Sequence, residues 1–102
     1  MQNKPEPITE VVFRKFTKPA GGGIIAMFPS LLGKVNDVTT CQSYMINGEH
    51  SSAPIDLIRY TMPATEEEYS ETKKVLESYG YNLSIITKLT RKHYKIRKER
   101  YH

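Results

Sequence analysis

Cys41 and His50, with Ser43, Tyr44, Glu49, Ser51 and Ser52 around them, gather the most reactive side chains of the chain into one short stretch. A cysteine becomes a nucleophile when a neighbouring base takes its proton, and a third group must orient that base. Cys41 as nucleophile, His50 as base and Glu49 as orienting group would supply the three roles. Cys41, however, sits in a run that alternates Cys41, Ser43 and Met45 against Gln42, Tyr44 and Ile46, the period of a pleated strand. A mid-strand cysteine more often behaves as a small buried apolar residue, and His50 lies beyond the Asn47-Gly48 break. The spacing favours packing over catalysis, so no catalytic residue is assigned. A metal ion would need three or four ligands, and Cys41, Glu49 and His50 offer three without CxxC or HxxxH spacing. His93 and His102 are too far along the chain to join them. Neither metal nor cofactor is expected, and residues 41–50 stand as a candidate loop site only.

The second chemical signal is charge. Residues 1–89 carry nine Lys/Arg and ten Asp/Glu, a net of −1, whereas residues 90–102 carry six and one, a net of +5. Arg91, Lys92, Lys95, Arg97, Lys98 and Arg100 are interleaved with Tyr94 and Tyr101, a composition that neutralises phosphates and stacks on bases. In a helix, Tyr94, Arg97, Lys98 and Tyr101 would share a stripe. The same segment also suits a solvated basic end, or one that docks on an acidic protein surface such as Glu66, Glu67, Glu71 and Glu77. Gly21–Gly23 could cradle a phosphate through bare amides, but such a loop runs from a strand into a helix with Lys and Ser/Thr behind it. Here Ile24-Ile25 follow, so a hairpin turn is the better account.

These residues need elements to position them. Val11, Val12, Phe13 and Phe16 read as a first strand, and Ile24–Phe28 as a second, stopped by Pro29. Residues 29–37 read as a connector, 39–46 as a third strand, and 49–54 as a polar loop. Residues 55–62 fit either a strand or a short helix, the strand being favoured by its β-branched and aromatic content. Thr65-Glu66-Glu67-Glu68 is a capping box, with Tyr69, Thr72, Leu76 and Tyr79 on one stripe behind it and Gly80 as the stop. A last strand is expected over 82–89. The fold class is therefore α+β: an antiparallel sheet of four to five strands with one main helix, 65–79, packed on one face. Residues 1–8 form an arm, 9–89 the single domain and 90–102 a basic tail.

A chain of 102 residues fits one domain. Its longest apolar run, Ile24–Phe28, is far short of the ~20 residues of a membrane helix. Met1–Pro7 lacks the apolar stretch of a signal peptide. Cys41 is the only cysteine and suits a reducing compartment, so a cytoplasmic location with no membrane partner is expected.

Phe28-Pro29, Cys41-Gln42-Ser43-Tyr44, Gly48-Glu49-His50, Thr61-Met62-Pro63-Ala64-Thr65, Glu68-Tyr69 and Gly80-Tyr81 occur in this order over residues 10–89. That string resembles a group of small uncharacterised bacterial and phage-type proteins. The group has no established activity, so the resemblance implies one compact domain and brings no catalytic residue. Gly21–Gly23 and the basic tail depart from its pattern.

Taken together, the residues point to a non-enzymatic accessory protein that binds a macromolecule, with nucleic acid on the tail. The alternative is a protein-interaction or self-association module using the sheet face and residues 49–54. A Cys/His-dependent enzyme ranks below both.

Overall fold

β1 (Ile8–Phe16) carries four consecutive buried residues, Val11 to Arg14, which is how a strand reads when both its faces are covered. The computed structural model describes residues 7–17, 23–46 and 49–100. Around β1 lie β2 (Ile24–Lys34), β3 (Asp37–Met45), β4 (Glu49–Pro54), β5 (Thr61–Pro63) and β6 (Asn82–Ile85), with helices α1 (Glu66–Ser78) and α2 (Arg91–Glu99) and a 3-10 helix at Ile55–Tyr60. The architecture is α+β, a curled half-barrel sheet in the order β4-β3-β2-β1-β5. β6 is the one parallel strand among the described residues; it pairs with the first half of β1 (Ile8–Val11), while β5 pairs with the second (Arg14–Phe16).

Strand alternation sorts the side chains into two cores. On one face Val11, Phe13, Ala26, Phe28 and Tyr44 bury against Leu76 of α1. On the other Ile25, Met27, Cys41 and Ala53 pack beneath Ile55 and Leu57 of the 3-10 helix. Arg14 fastens that helix and β5 to β1: its guanidinium donates to the Ile58 carbonyl at 2.9 Å, the Thr61 carbonyl at 2.6 Å and the Thr61 hydroxyl at 3.0 Å.

α1 starts at the expected cap. Thr65 Oγ1 accepts from the Glu68 N–H, and Glu68 accepts from the Thr65 N–H in return. It ends on Gly80 at φ +102°, with Gly80 N–H donating to Glu77 and Tyr81 N–H to Leu76, the paired closure that a left-handed glycine permits.

Four expectations are corrected. β2 does not stop at Pro29 but runs on to Lys34, because the register shifts between Phe28 and Leu32 and a bulge there accommodates a residue with no N–H to donate. Residues 49–54 are an edge strand, since each pairs in register with β3. Residues 55–60 wind into a 3-10 helix, leaving only Thr61–Pro63 extended. Finally, the described residues hold two α-helices where one was expected: the tail is α2 through Glu99, and the last strand ends at Ile85. Of the hairpin turn expected at Gly21–Gly23, Gly21 and Gly22 lie outside the described residues, as do Tyr101 and residues 1–6 of the expected arm.

Gly33 is required by close approach. A Cβ there would fall 2.7 Å from the Cys41 carbonyl oxygen and 2.9 Å from Ser52 Cβ. Gly33→Ala is expected to lower stability by about 1–3 kcal/mol, read as a lower urea midpoint; an unchanged midpoint would show that β2 and β3 can separate freely there.

Candidate functional site

Toward the start of β1, its pairing with β2 ends at Val12, opposite Met27. Beyond that they part: the first half of β1 turns to β6, and β2 passes its bulge and follows β3. α2 lies across the opening and is held to both arms. On the β1 side, His93 Nε2 meets Glu10 Oε1 at 2.8 Å, while His93 Nδ1 accepts the Thr90 N–H at 2.9 Å. Because Nδ1 is an acceptor, the ring proton sits on Nε2 and is donated to Glu10. On the β2 side, Arg97 Nη1 donates to the Pro29 carbonyl at 2.7 Å and Nε to the Val38 carbonyl at 2.9 Å. Both residues are almost fully buried, at 3% and 4% exposure, and burial lowers the Arg97 pKa.

The remaining basic residues of α2 point outward. Arg91, Lys92, Lys95, Lys98 and Arg100 are exposed, as are Tyr94 and the preceding Lys88. None of the five α2 cations forms a salt bridge with a described residue, and Glu99 is the single acid on the helix. The acids of α1 are partly engaged elsewhere: Glu68 with Lys15 at 2.6 Å and Glu77 with Lys73 at 3.1 Å. Of the six predicted tail cations, Arg97 is therefore structural and five are presented to solvent. His93 was missed as a packing residue. Its signal lay in Thr90-x-x-His93, the spacing of a capping box with imidazole in place of carboxylate.

The candidate loop site does not assemble. Cys41 and Ser43 belong to the face that carries Met27 and Ala53. Tyr44 and His50, opposite each other in register, belong to the α1 face. The backbone of Glu49 opens β4; its side chain lies outside the described residues. Burial pushes the Cys41 thiol up to about 11, so it is protonated at neutral pH and lacks the thiolate a nucleophile needs. Among the described residues no group of three His, Cys, Asp or Glu could hold a metal ion, and no helix is long and apolar enough to cross a membrane.

What the loop site provides is an aromatic cluster. Phe28 stacks on Tyr81 at 5.2 Å and 6°, and Tyr81 on His50 at 6.1 Å and 19°, with the Tyr81 hydroxyl 3.2 Å from His50 Nε2. Tyr79 meets Tyr44 edge-on at 6.0 Å, and its hydrogen bond to Tyr44, with burial, raises the Tyr44 pKa. The helical stripe placed Tyr79 in the core. It is instead 58% exposed, because Gly80 reverses the chain immediately after it.

No protein family, characterised protein or solved structure matches the chain.

Two measurements separate packing from binding here. The folded chain holds the Cys41 proton more tightly than the unfolded chain, whose thiol titrates near ~8.5. The Cys41 contribution to stability is thus complete below about pH 8.5 and is lost as pH rises toward about 11. Urea midpoints across this range should fall less steeply in Cys41→Ala than in the wild type; parallel slopes would rule the thiol out. Arg97→Met leaves two carbonyls without their donor and should cost about 1–3 kcal/mol. Lys95→Met should be near neutral in the same denaturation experiment.

Proposed function

We propose that the protein is a non-enzymatic binding protein that holds nucleic acid phosphates on the exposed face of α2. The observation that carries the reading is the sorting of the basic residues: Arg97 turns inward to the sheet, while Arg91, Lys92, Lys95, Lys98 and Arg100 stay exposed and without acidic partners among the described residues. A helix fixed at two points presents these charges at set spacings, and Tyr94 adds an aromatic face among them. Phosphate contacts of this type supply affinity without reading sequence. No recognition motif of the helix-turn-helix, zinc-finger or RNP kind accompanies them.

A second reading has its own support. Among the described residues β4 is an unpaired sheet edge, the kind of strand to which another chain can add. Such a protein-interaction or self-association surface would tolerate salt and would be detected as concentration-dependent mass in sedimentation.

Deleting residues 90–102 is a poor test, since it also removes His93 and Arg97. The sharper variant is Lys92→Glu/Lys95→Glu/Lys98→Glu, measured by fluorescence anisotropy on mixed single- and double-stranded nucleic acid at two salt concentrations. Binding should weaken at least about tenfold, and the salt slope should shrink by roughly 0.7–0.9 for each phosphate contact removed. Unaltered affinity and slope would remove α2 as the contact surface.

A further inference from the structure

The opening between β1 and β2 is not completely filled by α2. A cleft of about 430 Å³ remains, with Ile8, Leu31 and Ile96 as apolar walls and Lys92 and Arg100 as its cations. Glu10, the one acid on its lining among the described residues, is already bonded to His93. Pro7 and Thr9 form part of this cleft and also part of a second, of about 210 Å³, whose other walls are Tyr79, Gly80, Tyr81 and Asn82. The two clefts therefore adjoin across the first residues of β1. The first cleft is cationic and apolar; the second is aromatic.

The aromatic end is rigid. Tyr81 is fixed by Phe28 on one side and His50 on the other, and its own N–H closes α1. Tyr79 is tied to Tyr44 and stands beside His50, with ring centroids 6.0 Å apart. Rings already held in place lose little freedom when another ring packs on them. The cations at one end suit a phosphodiester, and the exposed Tyr79 ring, a wall of the second cleft, suits the face of a planar base. A base presents that face only when it is unpaired, because in a duplex its neighbours cover it.

We propose that the nucleic acid taken by this protein is single-stranded, with its backbone in the β1–α2 cleft and an unpaired base stacked on Tyr79. The inference rests on the reading of α2 as a phosphate-binding surface and adds the class of strand and the second contact.

The test is anisotropy with the full chain on three probes at low salt: a single strand of about 12 nucleotides, within the range of common single-strand sites, its duplex, and an abasic backbone of the same length. The single strand should bind tightest. Tyr79→Ala should weaken it about tenfold and leave the abasic backbone unchanged, whereas Tyr79→Phe, which keeps the ring, should retain binding. Equal affinity for the three probes, measured on the wild type and so independent of how any variant folds, would overturn the inference. So would single-strand binding indifferent to Tyr79→Ala. In either case the α2 reading survives if Lys95→Glu still weakens all three probes. No binding to any probe would overturn both.

Discussion

The divergence of β1 from β2 after the Val12–Met27 pair is the constraint on which the rest of the molecule depends. Pro29 cannot donate to a ladder; the β2–β3 register shifts around it, and the β1–β2 ladder ends at Met27, just before it. A buried carbonyl without a donor is costly. Arg97 answers this directly, reaching the carbonyl of Pro29 on one strand and that of Val38 on the next. His93 completes the closure through Glu10. The opening fixes where α2 sits, which of its residues are used up inside, and where the remaining cleft lies.

Arginine is well suited to this work. Its planar guanidinium makes several directed bonds at once and stays charged, so it can satisfy carbonyls in places where lysine would give up its proton. Arg14 solves the same problem at the other end of β1, where the 3-10 helix and β5 must be held to the strand. In both cases burial lowers the pKa, which is the cost of taking the charge from water, and the carbonyl bonds offset it. The net charge of +4 is thus a poor guide to the binding surface by itself. Part of it is structural, and the part left over is concentrated on one short helix.

This partition also explains what could and could not be read from the sequence. The capping box at Thr65–Glu68, the Gly80 stop and the alternation of 39–46 depend on neighbours within a few residues, so local spacing revealed them. β4 escaped because Glu49-His50-Ser51-Ser52-Ala53-Pro54 has little β-propensity of its own; pairing with β3 makes it a strand. The length of β2 escaped because a proline inside a strand is tolerated only where a bulge removes the need for its N–H. The separation of Cys41 from His50 follows from alternation carried across the β3–β4 register, and that register is invisible until β4 is known. For the tail, charge was legible but direction was not. Ile96 is its one aliphatic residue, and the inward stripe of His93, Ile96 and Arg97 looks like part of a polar helix unless a sheet is waiting beneath it.

α2 would not persist without that sheet. Nine residues are too few for a stable isolated helix in water. Its outward charges also repel: Arg91 faces Lys95, Lys92 faces Lys95 and Lys95 faces Lys98 at helical spacings of three or four. Arg91 and Lys92 stand in the first turn, where the helix dipole disfavours cations. The Arg97 and His93 contacts hold the helix together against these terms. Under the proposed phosphate-binding role, an anion lying on the exposed face would remove the same repulsion, so its binding would favour the helix packed over the β1–β2 opening.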